Sequence, residues 1–306
     1  MDRSSPEPAP FPPPPVTPLG ILGADGPELS VLRLERIHPA APGNKWYKLR
    51  YNLLEATAAG HRTVLTFGGP WSNHIAATAA TCRTAGMKCI GVIRGEEPAV
   101  WSDTLADARA EGMTLDFVSR ARYAHKDDPQ FIRELHERHG EFYLVPEGGN
   151  NPEGIRGCRE ILSGVPLERF THIALPVGTG ATFRGVADTA GSEQKVWGFS
   201  AVKRTPDPAL EQFCSRSPER LRIITDYTFG GFARVTPALL AFMQEFLRAH
   251  GVLLDFVYTA KMMYGITEMA RTGALGPGDH VLAIHTGGLQ GNRSLDPALG
   301  LGPPLR

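Results

Sequence analysis

The chain has 306 residues, 42% hydrophobic and 21% charged, an ordinary globular composition with length enough for one large domain or two sharing a cleft. Its 32 basic and 32 acidic side chains cancel, which excludes the positive field that draws a protein to nucleic acid or anionic lipid and points to a small-molecule partner. No apolar run approaches the roughly 18 residues of a membrane span, no signal peptide is recognisable, and Cys82, Cys89, Cys158 and Cys214 show neither a CxxC pair nor metal-ligand spacing, so a cytoplasmic protein with reduced thiols and no metal is expected.

Residues 6–18 (PEPAPFPPPPVTP) are dominated by proline, which fixes φ and removes backbone donors, so neither helix nor central strand is expected there. An extended surface arm, packed on the body or on a partner subunit, is preferred to a docking peptide for a proline-binding domain. Beyond it, apolar runs predict strands at 63–67, 89–93, 114–118 and 141–145, separated by helix-like stretches at 72–85, 101–111 and 129–139. Strand, helix and strand at a spacing of about 25 residues is the pattern of βαβ units, hence of a parallel sheet covered on both faces. A second series has strands at 172–176, 196–200 and 280–285, and a helix at 235–250 in which Leu239, Met243, Phe246, Leu247 and His250 share one face. Two such blocks in tandem imply a two-lobed α/β protein.

Four segments carry candidate chemistry. Gly43-Asn44-Lys45-Trp46-Tyr47-Lys48-Leu49 enters a helix whose Trp46, Leu49, Leu53 and Leu54 form an apolar stripe. A lysine at a helix start faces the positive end of the dipole, and an amine in a positive, partly desolvated place has the lowered pKa that a Schiff-base lysine needs. Taken alone, a solvated helix-start lysine is the plainer reading of Lys45. Gly68-Gly69-Pro70-Trp71-Ser72-Asn73-His74 follows a strand and opens a helix, with Ser72 or Asn73 as cap. Its free N–H groups suit a carboxylate or phosphate, and an ordinary capped turn is equally consistent. Val177-Gly178-Thr179-Gly180-Ala181-Thr182 has the small residues, hydroxyls and following helix of a phosphate cradle, yet fits neither G-x-G-x-x-G nor the Walker pattern, which favours a phosphate smaller than a nucleotide. Ala283-Ile284-His285-Thr286-Gly287-Gly288 runs from a strand into a glycine turn. In open α/β sheets, ligands sit beyond the carboxyl ends of the strands, where three of these segments converge.

Taken together and in this order, GNK-x-x-KL, SNH, VGTGAT, VYTAK and HTGG resemble the 1-aminocyclopropane-1-carboxylate deaminase and D-cysteine desulfhydrase family, from about Leu32 to Gly288. The resemblance implies a pyridoxal 5'-phosphate enzyme of the tryptophan-synthase-β fold and a homodimer. It implies a larger cofactor domain from residues 1–47 and 148–306 with a smaller inserted domain at 48–147. It makes Lys45 the lysine that carries the cofactor and Lys48 a structural lysine one turn on. Ser72 then takes part in proton transfer or substrate binding, and Asn73 bonds the cofactor's phenolic oxygen. The backbone around Asn73 and His74 holds the substrate carboxylate, and Val177, Gly178, Thr179, Gly180, Ala181 and Thr182 hold the phosphate. Tyr258 and Thr259 lie in the segment that closes over the pyridine ring, with Tyr258 an assistant in proton transfer.

Deaminases of this family carry glutamate where Thr259 stands and leucine where Thr286 stands, so both positions resemble the desulfhydrase side. A hydroxyl leaves the pyridine nitrogen neutral, which suits β-elimination of a good leaving group such as thiolate. The family's second active-site tyrosine, in a Gly-x-x-Tyr-Gly stretch, has its nearest match in Gly230-Gly231-Phe232-Ala233, which offers Phe232 at the substrate without a hydroxyl. The expected reaction converts D-cysteine to pyruvate, ammonia and sulfide. Deamination of aminocyclopropane carboxylate, β-replacement and racemisation are the alternatives.

Overall fold

In the computed structural model, which describes residues 13–38, 41–203 and 207–303, the strands sort into two sheets. The order along the chain is β1 (Val16–Ile21), β2 (Glu28–Arg33), α1 (Asn44–Ala58), β3 (Thr63–Gly68), α2 (Asn73–Thr84), β4 (Lys88–Arg94), α3 (Asp103–Ala110), β5 (Thr114–Val118), α4 (Arg120–Tyr123), α5 (Pro129–His139) and β6 (Tyr143–Val145). It continues with α6 (Pro152–Cys158), β7 (His172–Val177), α7 (Ala181–Thr189), β8 (Lys195–Ser200), α8 (Pro208–Cys214), β9 (Leu221–Ile224), α9 (Pro237–His250), α10 (Thr259–Arg271) and β10 (His280–His285).

The four-stranded sheet, ordered β5-β4-β3-β6, is parallel throughout. The six-stranded sheet, ordered β1-β2-β10-β7-β8-β9, is parallel except for the antiparallel edge strand β1. Helices cover both faces, which is why β7 is buried at every position and β3, β8 and β10 at all but the first. The predicted strands and helices lie where the apolar runs put them, with ends shifted by one or two residues as caps dictate. Ser72, Ser102 and Asp128, for example, each sit just outside the helix they cap.

Residues 1–12 of the proline-rich arm lie outside the described residues, and its last three, extended as expected, enter the edge strand β1. Proline is accommodated there because β1 is an edge strand with a register shift between Pro18 and Gly20. Strands β1, β2 and β9 and helices α4, α6, α8 and α10 were not anticipated. The apolar stripe of α1 is also broader than Trp46, Leu49, Leu53 and Leu54: Trp46 and Leu54 are only half-buried, while Tyr47, Lys48, Asn52 and Ala56 are buried.

That change places α1 in the molecule. Tyr47 packs into the core under the six-stranded sheet with Leu32, Ile173 and Phe183. Leu49, Leu53 and Ala56 pack into the core under the four-stranded sheet with Val64 and Ile75. The helix is thus clamped between both cores, and its N-terminus comes out beside the carboxyl ends of β3, β7 and β10. All four cysteines are free, three of them buried. No helix among the described residues is long and apolar enough to cross a membrane.

Candidate active site

Lys45 owes its position to a backbone crossing. Gly43, the residue before α1, has φ 95, a region that side chains with a Cβ avoid. A Cβ at that position would lie 2.2 Å from the Thr286 carbonyl oxygen and 2.9 Å from Gly287 Cα. The Asn44 N–H donates to that same carbonyl at 3.1 Å, so the start of α1 is held by the turn after β10 and by no side-chain cap. Among the described residues, Lys45 Nζ reaches only its neighbour, Asn44 Oδ1, at 3.2 Å. Burial first, and then the Lys48 ammonium, push the Lys45 amine down to about 7, with Cys158 and Asp255 opposing. Lys48 is buried more completely and is engaged, its Nζ donating to the Gly148 carbonyl at 3.0 Å.

The α2 start forms the facing wall. Ser72 Oγ accepts from the backbone N–H of His74 at 3.2 Å and of Ile75 at 3.3 Å. Both its lone pairs are therefore in use and its own proton remains free to donate. Asn73 Oδ1 accepts from the Gln290 amide, and its amide nitrogen lies against Gly288, where a Cβ would come within 2.4 Å. His74 is buried against Thr66, with Nε2 at 2.9 Å from Thr66 Oγ1.

Val177 to Thr182 turns from β7 into α7. Gly180 adopts the left-handed conformation (φ 88) and no side chain caps the helix, so the first-turn N–H groups stay open to an anion. Asn44 Nδ2 donates to Thr182 Oγ1 at 2.8 Å, tying this loop to the residue before Lys45. The Tyr258 ring rests 3.4 Å from where a Gly178 Cβ would start. Burial, with Asp255 and Glu147 adding to it, holds the phenol far above its ordinary pKa, so it is a proton donor.

These elements enclose a cavity of about 660 Å³. Its wall includes Lys45, Ser72, Asn73 and His74 from one side, Val177, Gly178, Thr179, Gly180 and Thr182 from another, and Tyr258, Phe232 and Thr286. Ala181 and Thr259 are buried behind the wall and take no part in it. Thr259 Oγ1 is consumed locally, donating to Asp255 Oδ1 at 2.7 Å and accepting the Asp255 N–H at 2.8 Å. Phe232 stands exposed at the mouth, edge-on to Tyr258 at 6.0 Å. Its loop is strained, with positive φ at Phe229 (50) and Ala233 (53).

The wall also contains Asn44, Lys48, Arg94, Glu147 and Asp255, which were not read as cavity residues, apart from Lys48 as a structural lysine. Arg94 had a usable signal, since it closes a predicted strand on the carboxyl edge where sites gather. Asp255 had one too, standing four residues before a helix and capping it through Val257, Tyr258 and Thr259 N–H groups.

Comparison with known proteins decides the family. The model of the family described as "Pyridoxal-phosphate dependent enzyme" matches residues 13–287. The chain belongs to that family. A putative 1-aminocyclopropane-1-carboxylate deaminase of Thermotoga maritima is 32% identical over 269 residues, covering 81% of this chain and 85% of that protein. A bifunctional D-cysteine desulfhydrase/1-aminocyclopropane-1-carboxylate deaminase of Arabidopsis thaliana is 29% identical, over 87% of this chain and 74% of its own. The crystal structure of an ACC deaminase homologue superposes with a TM-score of 0.78 at 24% identity, over 95% of this chain and 94% of that one. This chain is accordingly a pyridoxal-phosphate-dependent enzyme of the deaminase/desulfhydrase group. The cavity fits the cofactor: an amine of lowered pKa stands opposite an uncapped helix start that is open to a phosphate.

Proposed function

We propose that the enzyme catalyses β-elimination from a small amino acid, with D-cysteine giving pyruvate, ammonia and sulfide. The observation that carries this reading is the polar group offered at the Thr286 end of the cavity. Thr286, a residue that carries a hydroxyl, lines the wall, while a buried carboxylate nearby, Asp255, is saturated by three backbone N–H groups and the Thr259 hydroxyl. Thr286 would offer the cofactor's pyridine nitrogen a hydroxyl in place of a carboxylate and so leave it neutral, which would serve loss of thiolate better than opening of a cyclopropane ring.

Pyridoxal phosphate, when bound, supplies the electron sink for the pair left at Cα. Lys45 holds the cofactor through Nζ and, once released, is the base for the Cα proton, because a pKa of about 7 leaves much of it unprotonated at neutral pH. The loop from Gly178 to Thr182 at the α7 start would take the phosphate, and Asn73 would bond the phenolic oxygen. The substrate carboxylate lies at the α2 start, where Ser72 Oγ donates its free proton to it. Ser72 is not the base, since both its lone pairs accept N–H groups. Tyr258, held protonated, donates to the departing sulfur. The Cα–H and Cβ–S bonds break, and water completes the release of pyruvate and ammonia.

The decisive experiment is an assay of sulfide and pyruvate from D-cysteine with cofactor-loaded protein, alongside 2-oxobutyrate from aminocyclopropane carboxylate. Sulfide with pyruvate is expected, together with a visible cofactor band that Lys45→Ala abolishes. Release of 2-oxobutyrate alone would transfer the enzyme to the deaminase reading, which the names of several relatives favour.

A further inference from the structure

Large apolar side chains exposed among the described residues are few, and two of them, Trp71 at 41% and Phe232 at 52%, line the cavity. The reaction outlined above uses neither. A substrate as small and polar as cysteine has nothing to bury against them, whereas apolar surface left open in a cleft marks a place where an apolar group docks.

Both side chains are held firmly by their backbones. Trp71 sits in the turn between β3 and α2, which the Ser72 N–H closes by donating to the Gly69 carbonyl at 3.0 Å. The Ser102 hydroxyl donates to the Pro70 carbonyl next to it. The Phe232 loop is strained. Phe229 and Ala233 are the two residues other than glycine with positive φ among the described residues, and Gly230 and Gly231 between them are positive too (92 and 122). Such strain persists only where the surroundings impose it, and here α10 does so. Tyr258, Lys261 and Tyr264, spaced three residues apart, meet the loop in turn. Tyr258 faces the Phe232 ring, Lys261 Nζ donates to the Gly231 carbonyl at 2.6 Å, and Tyr264 stands edge-on to Phe229 at 4.8 Å. Lys261, the lysine of the VYTAK segment, is 1% exposed. A buried amine, unfavourable to desolvate, is thus committed to the loop that presents Phe232.

We propose that Phe232 and Trp71 receive an apolar group carried on the substrate's sulfur, so that the preferred substrates are S-alkyl- and S-benzyl-type cysteines. The proposal rests on the β-elimination reading and names its substrate class, with free cysteine the smallest member. Ser72, beside Trp71, takes the substrate carboxylate, and Tyr258, which donates to the departing sulfur, lies 6.0 Å from Phe232. A group on that sulfur is the part of a substrate placed to reach Phe232. The Cα–H and Cβ–S bonds break, the sulfur takes its proton from Tyr258, and one water is consumed. S-benzylcysteine then gives pyruvate, ammonia and phenylmethanethiol, with no oxidant or reductant required. Lys261 is a positioning residue that acts through the loop.

The test compares cysteine, S-methylcysteine and S-benzylcysteine, each as both enantiomers, with cofactor-loaded protein, reading pyruvate and released thiol. kcat/KM should rise about tenfold or more from cysteine to S-benzylcysteine. Phe232→Ala should cut that ratio about tenfold, through KM and not kcat, and Phe232→Leu should restore most of it. Lys261→Met should lower the ratio in the same direction. A purely structural role would depress both substrates alike and leave the ratio in place. A second arm needs no bond to break: 2-amino-5-phenylpentanoate and 2-aminobutyrate, with carbon in place of sulfur, are titrated against the visible band of the holoenzyme. The phenyl compound should bind about tenfold more tightly, and Phe232→Ala should erase the difference. Equal affinities, or a preference that Phe232→Ala leaves intact, overturn the proposal. That binding preference without pyruvate from any of the cysteines sinks the elimination reading and leaves the apolar site standing.

Discussion

The two walls of the cavity are built by different means. The wall from the six-stranded side is an interlock of backbone: Gly43 against Thr286 and Gly287, an uncapped α7 start, and Asn44 bonded to Thr182. The wall from the four-stranded side is side chains on one helix start, with Ser72, Asn73 and His74 in a row and Arg94 beside Gly69. Backbone sites suit a constant group such as a cofactor phosphate, since they cannot change without refolding. Side-chain sites can be altered one residue at a time, and substrate choice belongs there.

Four substitutions bear on that contrast. Gly43→Ala attacks the interlock and should be the most damaging. Its Cβ meets a carbonyl oxygen at 2.2 Å in a left-handed conformation, which costs about 3 kcal/mol, a fall in Tm of roughly 6–12 °C. Thermal melts check it, and a fall of only a degree or two would break the notion of a rigid cofactor wall. Next come the two threonines. Thr259→Val strands buried Asp255 groups and should lower stability by about 1–3 kcal/mol with cofactor affinity unchanged. Thr286→Val should weaken cofactor binding by roughly tenfold and leave the cofactor-free Tm in place. Cofactor titration beside melts separates the pair, and the opposite pattern would return Thr259 to the cavity wall. The smallest effect is expected of Arg293→Ala, which removes the ion pair from Arg293 to Asp107 across the two halves. Such surface pairs contribute about 0–1 kcal/mol, so urea midpoints should hardly move. A larger loss would mean that the halves are locked together, where the contrast predicts a substrate wall that shifts easily against the cofactor wall.

Much of the alternating architecture was readable because buried parallel strands are continuous apolar runs: HIALPV and HVLAIH announce themselves. β2 did not, because its run is broken by Ser30 and bounded by Glu28 and Arg33, and because its partner β10 lies some 250 residues away. β1 was hidden in proline-rich sequence that reads as coil. At the cavity, glycine turns at strand ends signalled Ser72, Gly178 and Thr286 without any family argument. The choice of Lys45 over Lys48 came from the resemblance; what distinguishes the two in three dimensions is the Gly148 carbonyl that engages Lys48. Thr259 shows the reverse limit. Its motif points to the pyridine ring, yet whether a threonine faces a cavity or its own helix cap depends on Asp255 four residues back.

The clasp between Gly43 and Thr286 joins positions about 240 residues apart in the sequence. During synthesis the residues around Lys45 leave the ribosome well before the turn that fixes their geometry. A nascent chain lacking β10 has its lysine and its phosphate loop, but the lysine's helix has no carbonyl to start from. The long sequence separation thus makes the lysine's placement a late event in folding, dependent on β10 joining the sheet.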